Sequence, residues 1–124
     1  MRIVVIGGGA AGFFAAISAR THHPGATVTL VEKSDKLLAK VRVSGGGRCN
    51  VTHACPTNKE LARHYPRGER FLRKAFEQFT VKDTIAWFRD HGVELKTEAD
   101  GRMFPVSDDS ETIIEALLGE AERL

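Results

Sequence analysis

An α/β fold built around a parallel sheet is predicted by three features at the start of the chain. Residues 2–6 are mostly apolar and β-branched, which favours a strand, and residues 13–20 are rich in helix formers. Residues 28–33 indicate a second strand that ends in an acid, with Gly25 in the connection before it. A strand, a helix and a second strand in this order form the unit from which parallel sheets are built.

The turn between the first strand and the helix has the spacing GxGxxG, formed by Gly7, Gly9 and Gly12. Gly7 permits the tight turn, Gly9 lets the backbone approach a pyrophosphate, and Gly12 lets the helix lie close to the strand. Free N–H groups and the helix dipole then favour an anionic diphosphate. In this context the motif predicts a Rossmann-like dinucleotide site.

The second strand ends at Glu32, twenty residues after Gly12. A carboxylate at this position can accept hydrogen bonds from both hydroxyls of an adenosine ribose, and it would repel a 2′-phosphate. NADP is therefore disfavoured, and FAD and NAD remain as the candidate ligands.

A second glycine cluster runs from Ser44 to Asn50. Three consecutive glycines followed by Arg48 favour neither helix nor ordinary strand, because glycine loses much backbone entropy and offers no side chain for packing. We expect a loop whose N–H groups turn inward as an anion nest, with Arg48 adding positive charge, near the pyrophosphate or the flavin ring of a bound dinucleotide. The alternative is a flexible surface turn.

The remaining elements follow from periodicity and turn residues. Ser34 or Asp35 is expected to cap a short helix over 36–38, and the alternation at 41–43 indicates extended chain. Helices are predicted over 58–64, over 71–79 and from 81 to Gly92, and the aromatic stripe of the last two is expected to lie in the core.

The end of the chain predicts a hairpin followed by a helix. Strands over 93–96 and 103–106 flank the Asp100-Gly101 turn. Ser107 or Asp108 is then expected to cap an amphipathic helix with four apolar side chains on one face: Ile113, Ile114, Leu117 and Leu118.

Composition excludes several classes of protein. With 42% hydrophobic and 27% charged residues, the chain is predicted to be globular, and its net charge of +2 without a basic block argues against a nucleic-acid partner. A secretory signal over residues 1–19 is the alternative at the N-terminus, but glycines and alanines interrupt its apolar run. No stretch approaches the roughly 20 apolar residues of a membrane span, so we expect a cytoplasmic protein with no membrane partner.

The two cysteines, Cys49 and Cys55, are too few for a disulfide scaffold. A flavin disulfide reductase is an alternative, although such enzymes place four residues between the redox pair and this chain has five. A metal site of Cys49, His53 and Cys55 has no evident fourth ligand, so no metal is expected. Cys49 is either a reactive thiol near Arg48 or a buried, inert one.

With these residues in view, the chain resembles the N-terminal part of the HI0933-like flavoproteins, bacterial FAD-dependent oxidoreductases sometimes labelled the aminoacetone oxidase family. Four blocks carry the resemblance: residues 6–12 with Glu32, Lys40 leading into 43–52, the aromatic helices ending at 91–93, and residues 100–107. The blocks Ser-Gly-Gly-Gly-Arg-Cys-Asn and Gly-Arg-Met-Phe-Pro-Val-Ser are its most particular parts.

The resemblance implies non-covalent FAD. The residues that the resemblance places on the ADP half of FAD are Gly7, Gly9, Ala10, Ala11, Gly12, Glu32 and Lys33. Those that it places nearer the pyrophosphate and flavin are Lys40, Ser44, Gly45, Gly46, Gly47, Arg48, Cys49 and Asn50. Reduction of bile-acid double bonds within the family suggests a reductase that passes hydride from NAD(P)H through flavin to an unsaturated small molecule. No catalytic residue is identified.

Members of this family are several times longer than 124 residues. Residues 1–124 are therefore interpreted as a single, incomplete FAD-binding domain. Whether these residues catalyse by themselves stays open. The alternative is a non-catalytic nucleotide-binding module that self-associates through the exposed face of its incomplete sheet.

Overall fold

The computed structural model describes residues 1–124. The elements in chain order are β1 (Arg2–Ile6), α1 (Ala10–His22), β2 (Thr27–Val31), α2 (Ala39–Gly47), β3 (Thr52–His53), α3 (Asn58–Arg63), α4 (Glu69–Gln78), α5 (Val81–Asp90), β4 (Leu95–Thr97), β5 (Arg102–Pro105) and α6 (Ser110–Arg123). They fall into two compact units, one of Met1–Cys49 with Asp109–Leu124, and one of Asn50–Asp108.

The first unit is built on a parallel strand pair. β1 and β2 pair in register, with Ile3 opposite Val28 and Ile6 opposite Val31, and α1 is the crossover between them. The predicted strand, glycine turn, helix and strand are thus confirmed. Because the register brings the carboxyl ends of both strands together, the residues that follow Ile6 and Val31 are neighbours.

Helices complete the core of the first unit. α6 packs against both α1 and α2. The buried apolar side chains come from all three helices and from the residue before α2: Phe13, Ile17, Leu38, Val41, Ile113, Ile114 and Leu117. α6 begins one or two residues later than predicted because the cap is Asp109, whose carboxylate accepts the Glu111 N–H at 2.9 Å. Asp108 instead adopts a left-handed φ of 55°.

One face of the two-stranded sheet exposes apolar side chains. Val4 is 62% and Ile6 87% exposed, and Val31 on the neighbouring strand is 47% exposed. In parallel sheets both faces are normally covered, most often by helices. The self-association expected through this face stays a prediction.

The segment between β2 and the second glycine cluster differs from expectation. Residues 33–38 form bends and turns instead of a short helix, and residues 41–43 lie inside α2 instead of an extended segment. The cause is Leu38, which is 1% exposed, takes a left-handed φ of 55° and occupies the N-cap of α2. Val41, three residues on, is buried as well, which is the spacing of one helix face.

The second unit centres on a small antiparallel sheet in the order β3-β5-β4. Leu95 pairs with Pro105 and Thr97 with Met103, which confirms the hairpin around Asp100-Gly101. Phe104 in the central strand is fully buried. α3 packs against α4, and α5 contacts both β3 and β4.

The predicted helices of the second unit form, but their aromatic stripe is not all core. α4 has no buried residue, and Phe71 is 76% exposed. Only Phe88 of the stripe is buried, in α5. The core expectation is wrong for α4 because helical spacing shows which side chains share a face but not whether that face is covered.

Loss of the α5 cap is expected to destabilise the protein moderately. Thr80 Oγ1 accepts the Asp83 N–H at 3.2 Å, and the Asp83 carboxylate accepts the Thr80 N–H at 2.7 Å. Thr80→Ala removes the first bond and should cost about 1 kcal/mol of unfolding free energy. Chemical denaturation measures this loss of unfolding free energy, and Thr80→Ser is the matched control because it keeps a hydroxyl. Equal midpoints for both variants would contradict this role.

Candidate functional site

The glycine turn after β1 is tightly packed at one end. Gly7 adopts a φ of 110° and its N–H donates to the Val31 carbonyl at 2.7 Å. A Cβ on Gly12 would lie 1.8 Å from the Gly7 carbonyl oxygen. Only glycine therefore lets α1 start this close to β1, as the sequence predicts.

Glu32 holds the same turn from the end of β2. Its Oε2 accepts the Gly8 N–H at 2.7 Å, and its Oε1 accepts the Ser34 N–H at 2.9 Å. These hydrogen bonds, the Gly8 one foremost, lower the pKa of Glu32 below its usual value of 4.5. Glu32 is thus ionised at neutral pH. The spacing from Gly12 predicts the ribose role of Glu32 but gives no sign of its bond to Gly8.

The start of α1 is open to an anion. Gly9 is its N-cap, no side chain caps the helix, and its first turn carries no acid. A Cβ on Gly9 would meet no atom within 4 Å, and Gly9, Ala10 and Ala11 are all exposed. Uncapped N–H groups at the start of a 13-residue helix favour negative charge.

Leu38 connects this turn to α2. The Leu38 N–H donates to the Gly8 carbonyl at 2.8 Å. Gly8 therefore has both its N–H and its carbonyl bonded, to Glu32 and to Leu38 respectively. Lys40 follows in the first turn of α2 and is exposed, as is Lys33 after β2.

The second glycine cluster forms a left-handed turn at the end of α2. Gly45, Gly46 and Gly47 have φ values of 57°, 67° and 89°, and Cys49 has 60°. The Ser44 carbonyl accepts the N–H groups of both Arg48 and Cys49. These two N–H groups turn inward as expected, but onto the protein's own carbonyl, so they form no nest for an external anion.

Asn50 lies in the second unit, where it supports the small sheet. Its side-chain amide donates to the carbonyls of Thr52 at 2.8 Å and Met103 at 3.2 Å. These bonds join the residues before β3 to β5. The structure gives Asn50 a structural role within the second unit.

The two thiols lie in different environments. Cys49 is 7% exposed, and burial raises its pKa against a weaker opposing hydrogen bond with Ser44. Cys55 is partly exposed, with its Sγ 3.1 Å from His53 Nδ1. Both are free thiols. Of the two alternatives for Cys49, the structure favours the buried, inert thiol.

Thiol labelling of the metal-free protein should therefore be biphasic. Burial raises the pKa of both thiols, but Cys49 is shielded by the fold and Cys55 is partly exposed, so Cys55 is expected to react first and Cys49 only as the fold opens. Absorbance with a chromogenic disulfide reagent measures both phases. Cys55→Ser should remove the fast phase and Cys49→Ser the slow one. A single phase of two equivalents would contradict the assignment.

The second unit also contains a cavity of about 490 Å³, a volume within the range of small-molecule sites. Its walls include Tyr65, Phe76 and Phe79 with the rings of His53 and His64. Part of the aromatic stripe therefore lines a concave surface. The cavity has no signature in the sequence because its walls come from segments far apart along the chain.

No helix is both long enough and apolar enough to cross a membrane.

The family described as HI0933-like protein Rossmann domain matches residues 1–124.

Three curated relatives are similar over nearly the whole chain. The 3-dehydro-bile acid delta(4,6)-reductase of Clostridium scindens is 31% identical over 122 residues, covering 98% of this chain and 29% of the relative. The ribosomal RNA dihydrouridine synthase of Escherichia coli is 32% identical over 120 residues, covering 97% and 28%. That of Haemophilus influenzae is 30% identical over 120 residues, with the same coverage of 97% and 28%. The chain spans less than a third of the length of these relatives.

Proposed function

The chain belongs to the HI0933-like family of Rossmann domains, and from that membership we propose that it is the FAD-binding segment of a flavoprotein oxidoreductase. The proposal rests mainly on the two hydrogen bonds that link Gly8 to Glu32 and to Leu38 beside the open start of α1. This arrangement supports binding of a ligand that contains ADP, because it combines an open helix start for the pyrophosphate with a carboxylate for the ribose.

The pyrophosphate would lie at the start of α1. Gly9 leaves space for it, since even a Cβ there would meet no atom within 4 Å. The exposed Ala10 and Ala11 add no polar side chain that would compete for the helix N–H groups. Lys33 after β2 and Lys40 in the first turn of α2 are exposed in the same unit and add positive charge.

The adenosine ribose would bond to Glu32. Each Glu32 oxygen accepts one backbone N–H, and a carboxylate oxygen has a second lone pair for a ribose hydroxyl. Because the pKa of Glu32 is lowered, its negative charge persists at neutral pH and disfavours a 2′-phosphate. FAD and NAD satisfy this condition and NADP does not.

Family membership favours FAD over NAD at this site. Bound FAD would supply hydride transfer, while the chain binds and orients it. The relatives are named for reducing delta(4,6) double bonds and for making dihydrouridine, and both names describe saturation of a carbon–carbon double bond. We propose the same class of reaction here, with NAD(P)H as reductant and an unsaturated small organic molecule as substrate.

The test is made on the purified protein that carries this chain. It is expected to be yellow and to release FAD on denaturation. Without oxygen, NADH or NADPH should bleach the flavin absorption, and a conjugated enone should restore it. A colourless, folded protein that does not bind added FAD would contradict the cofactor assignment. Bleaching that no enone reverses would contradict the reaction class.

A further inference from the structure

Three metal-ligating side chains converge in the second unit, away from the glycine turn in sequence. The ligand atoms of His53, Cys55 and His64 all lie within 4.8 Å of one another. Cys55 Sγ is 3.1 Å from His53 Nδ1, and the two imidazole rings stack with centroids 5.1 Å apart. We propose that these three residues bind a zinc ion.

Local backbone structure produces this convergence. His53 ends β3, and the Cys55 N–H donates back to the His53 carbonyl at 2.8 Å, which curls the chain so that both side chains meet. His64 is the residue at the C-terminal end of α3. Thr57 caps the start of that helix by accepting the Glu60 N–H at 3.2 Å. One short strand, turn and helix therefore present all three ligands.

His53 is already oriented as a metal ligand. Its Nε2 lies 3.0 Å from the Asp100 carbonyl oxygen. A carbonyl oxygen only accepts, so Nε2 carries the proton and the Nδ1 lone pair faces Cys55. Metal-binding histidines commonly donate their second ring nitrogen to a carbonyl in this way. Gly101 makes room for the ring, because a Cβ there would lie 2.4 Å from His53 Cε1.

The distances suit a small tetrahedral ion. Zn–S bonds of about 2.3 Å and Zn–N bonds of about 2.0 Å place sulfur and nitrogen ligands roughly 3.5 Å apart. The separations in the structure, from 3.1 Å to at most 4.8 Å, bracket that value, so modest side-chain rotations complete the site. Three protein ligands leave the fourth position for water.

The ligand set and the local charge select the ion. One thiolate with two neutral imidazoles favours zinc over calcium or magnesium, which prefer oxygen ligands. As the sulfur–zinc bond forms, the Cys55 thiol releases its proton to solvent. Glu60 lies in the first turn of α3, the helix that leads to His64, and its negative charge favours a cation. His53 and Cys55 are partly exposed and His64 is exposed, so the ion has an entry path.

The spacing His-x-Cys-x₈-His was visible in the sequence. The grouping of Cys49 with His53 and Cys55, considered from the sequence, offers no evident fourth ligand, and on that ground no metal is expected. Only the fold shows that α3 returns His64 to the other two ligands, whereas Cys49 is a buried residue of the first unit.

Cobalt titration of the purified protein tests the site directly. Co²⁺ is expected to give the intense visible bands of a tetrahedral complex and a near-ultraviolet thiolate charge-transfer band, and Zn²⁺ should abolish both by displacement. Cys55→Ser should remove the charge-transfer band, and His64→Gln should weaken Co²⁺ binding by about tenfold or more. Cys49→Ser and His23→Gln are the matched controls and should leave both signals unchanged.

Zn²⁺ protection of the unaltered protein gives a second readout that needs no variant. Zinc should slow alkylation of Cys55, located by mass spectrometry of the labelled peptide, while the rate at Cys49 stays the same. The proposal is overturned if Co²⁺ gives only weak octahedral bands, if the charge-transfer band depends on Cys49, or if Zn²⁺ leaves the rate of Cys55 alkylation unchanged.

Discussion

Replacing Gly12 by alanine is expected to destabilise the protein by about 3 kcal/mol or more, at the upper end of overpacking effects. The added Cβ would lie 1.8 Å from the Gly7 carbonyl oxygen, an atom of the backbone that cannot rotate away. The turn or the start of α1 must therefore move. Thermal unfolding followed by circular dichroism should show a melting temperature lower by about 10 °C or more.

Gly9→Ala is the matched control for this loss of stability. Gly9 has a φ of −91°, which alanine adopts readily, and its Cβ would meet nothing within 4 Å. Its unfolding free energy should change by no more than about 1 kcal/mol, the usual size of an N-cap effect. Equal melting temperatures for wild type and Gly12→Ala would show that the turn packs differently from this description.

Replacing Glu32 by alanine is expected to weaken FAD binding by about tenfold or more, because hydrogen bonds to a charged group are lost. The same change leaves the Gly8 N–H, on a buried residue, without its acceptor. Glu32→Gln separates the two effects, since its amide oxygen still accepts from Gly8 but carries no charge. Affinity should therefore fall in both variants, and the fold should suffer more in Glu32→Ala.

The pH dependence of stability checks the role of the Glu32 charge independently of FAD. The pKa of Glu32 is lower in the folded protein than its usual 4.5. Its contribution is therefore complete above about pH 4.5 and is lost as pH falls through the lowered folded pKa. The melting-temperature difference between wild type and Glu32→Gln should shrink in that acid range. A difference that stays constant from neutral to acid pH would rule out this linkage.

Local sequence signals predicted elements of both units well where short-range chemistry decides the structure. The apolar strand before Gly7, the helix after it and the Asp100-Gly101 hairpin depend on propensity and turn residues within a few positions. Gly12 was identified for the right reason, because close packing of helix on strand requires a residue without a side chain.

Sequence reasoning failed where contacts distant in the chain decide the structure. The Leu38 N–H bonds to the Gly8 carbonyl, thirty residues earlier, and left-handed Leu38 is the N-cap of α2, so residues 41–43 are helical where extended chain was expected. The Ser44 carbonyl likewise takes two N–H groups expected for a ligand. His64 joins His53 and Cys55 only through the return of α3. None of these pairings follows from residue propensity or turn residues alone.

The most direct test of the central claim is FAD titration of purified wild type and Gly9→Ala, followed by quenching of flavin fluorescence. We expect saturable binding of about one FAD per wild-type chain, and affinity weaker by about tenfold or more in the folded variant, because its Cβ occupies the space left for the pyrophosphate. Equal affinity in both proteins, or no binding to a folded wild type, would contradict the assignment of the glycine turn as the FAD site.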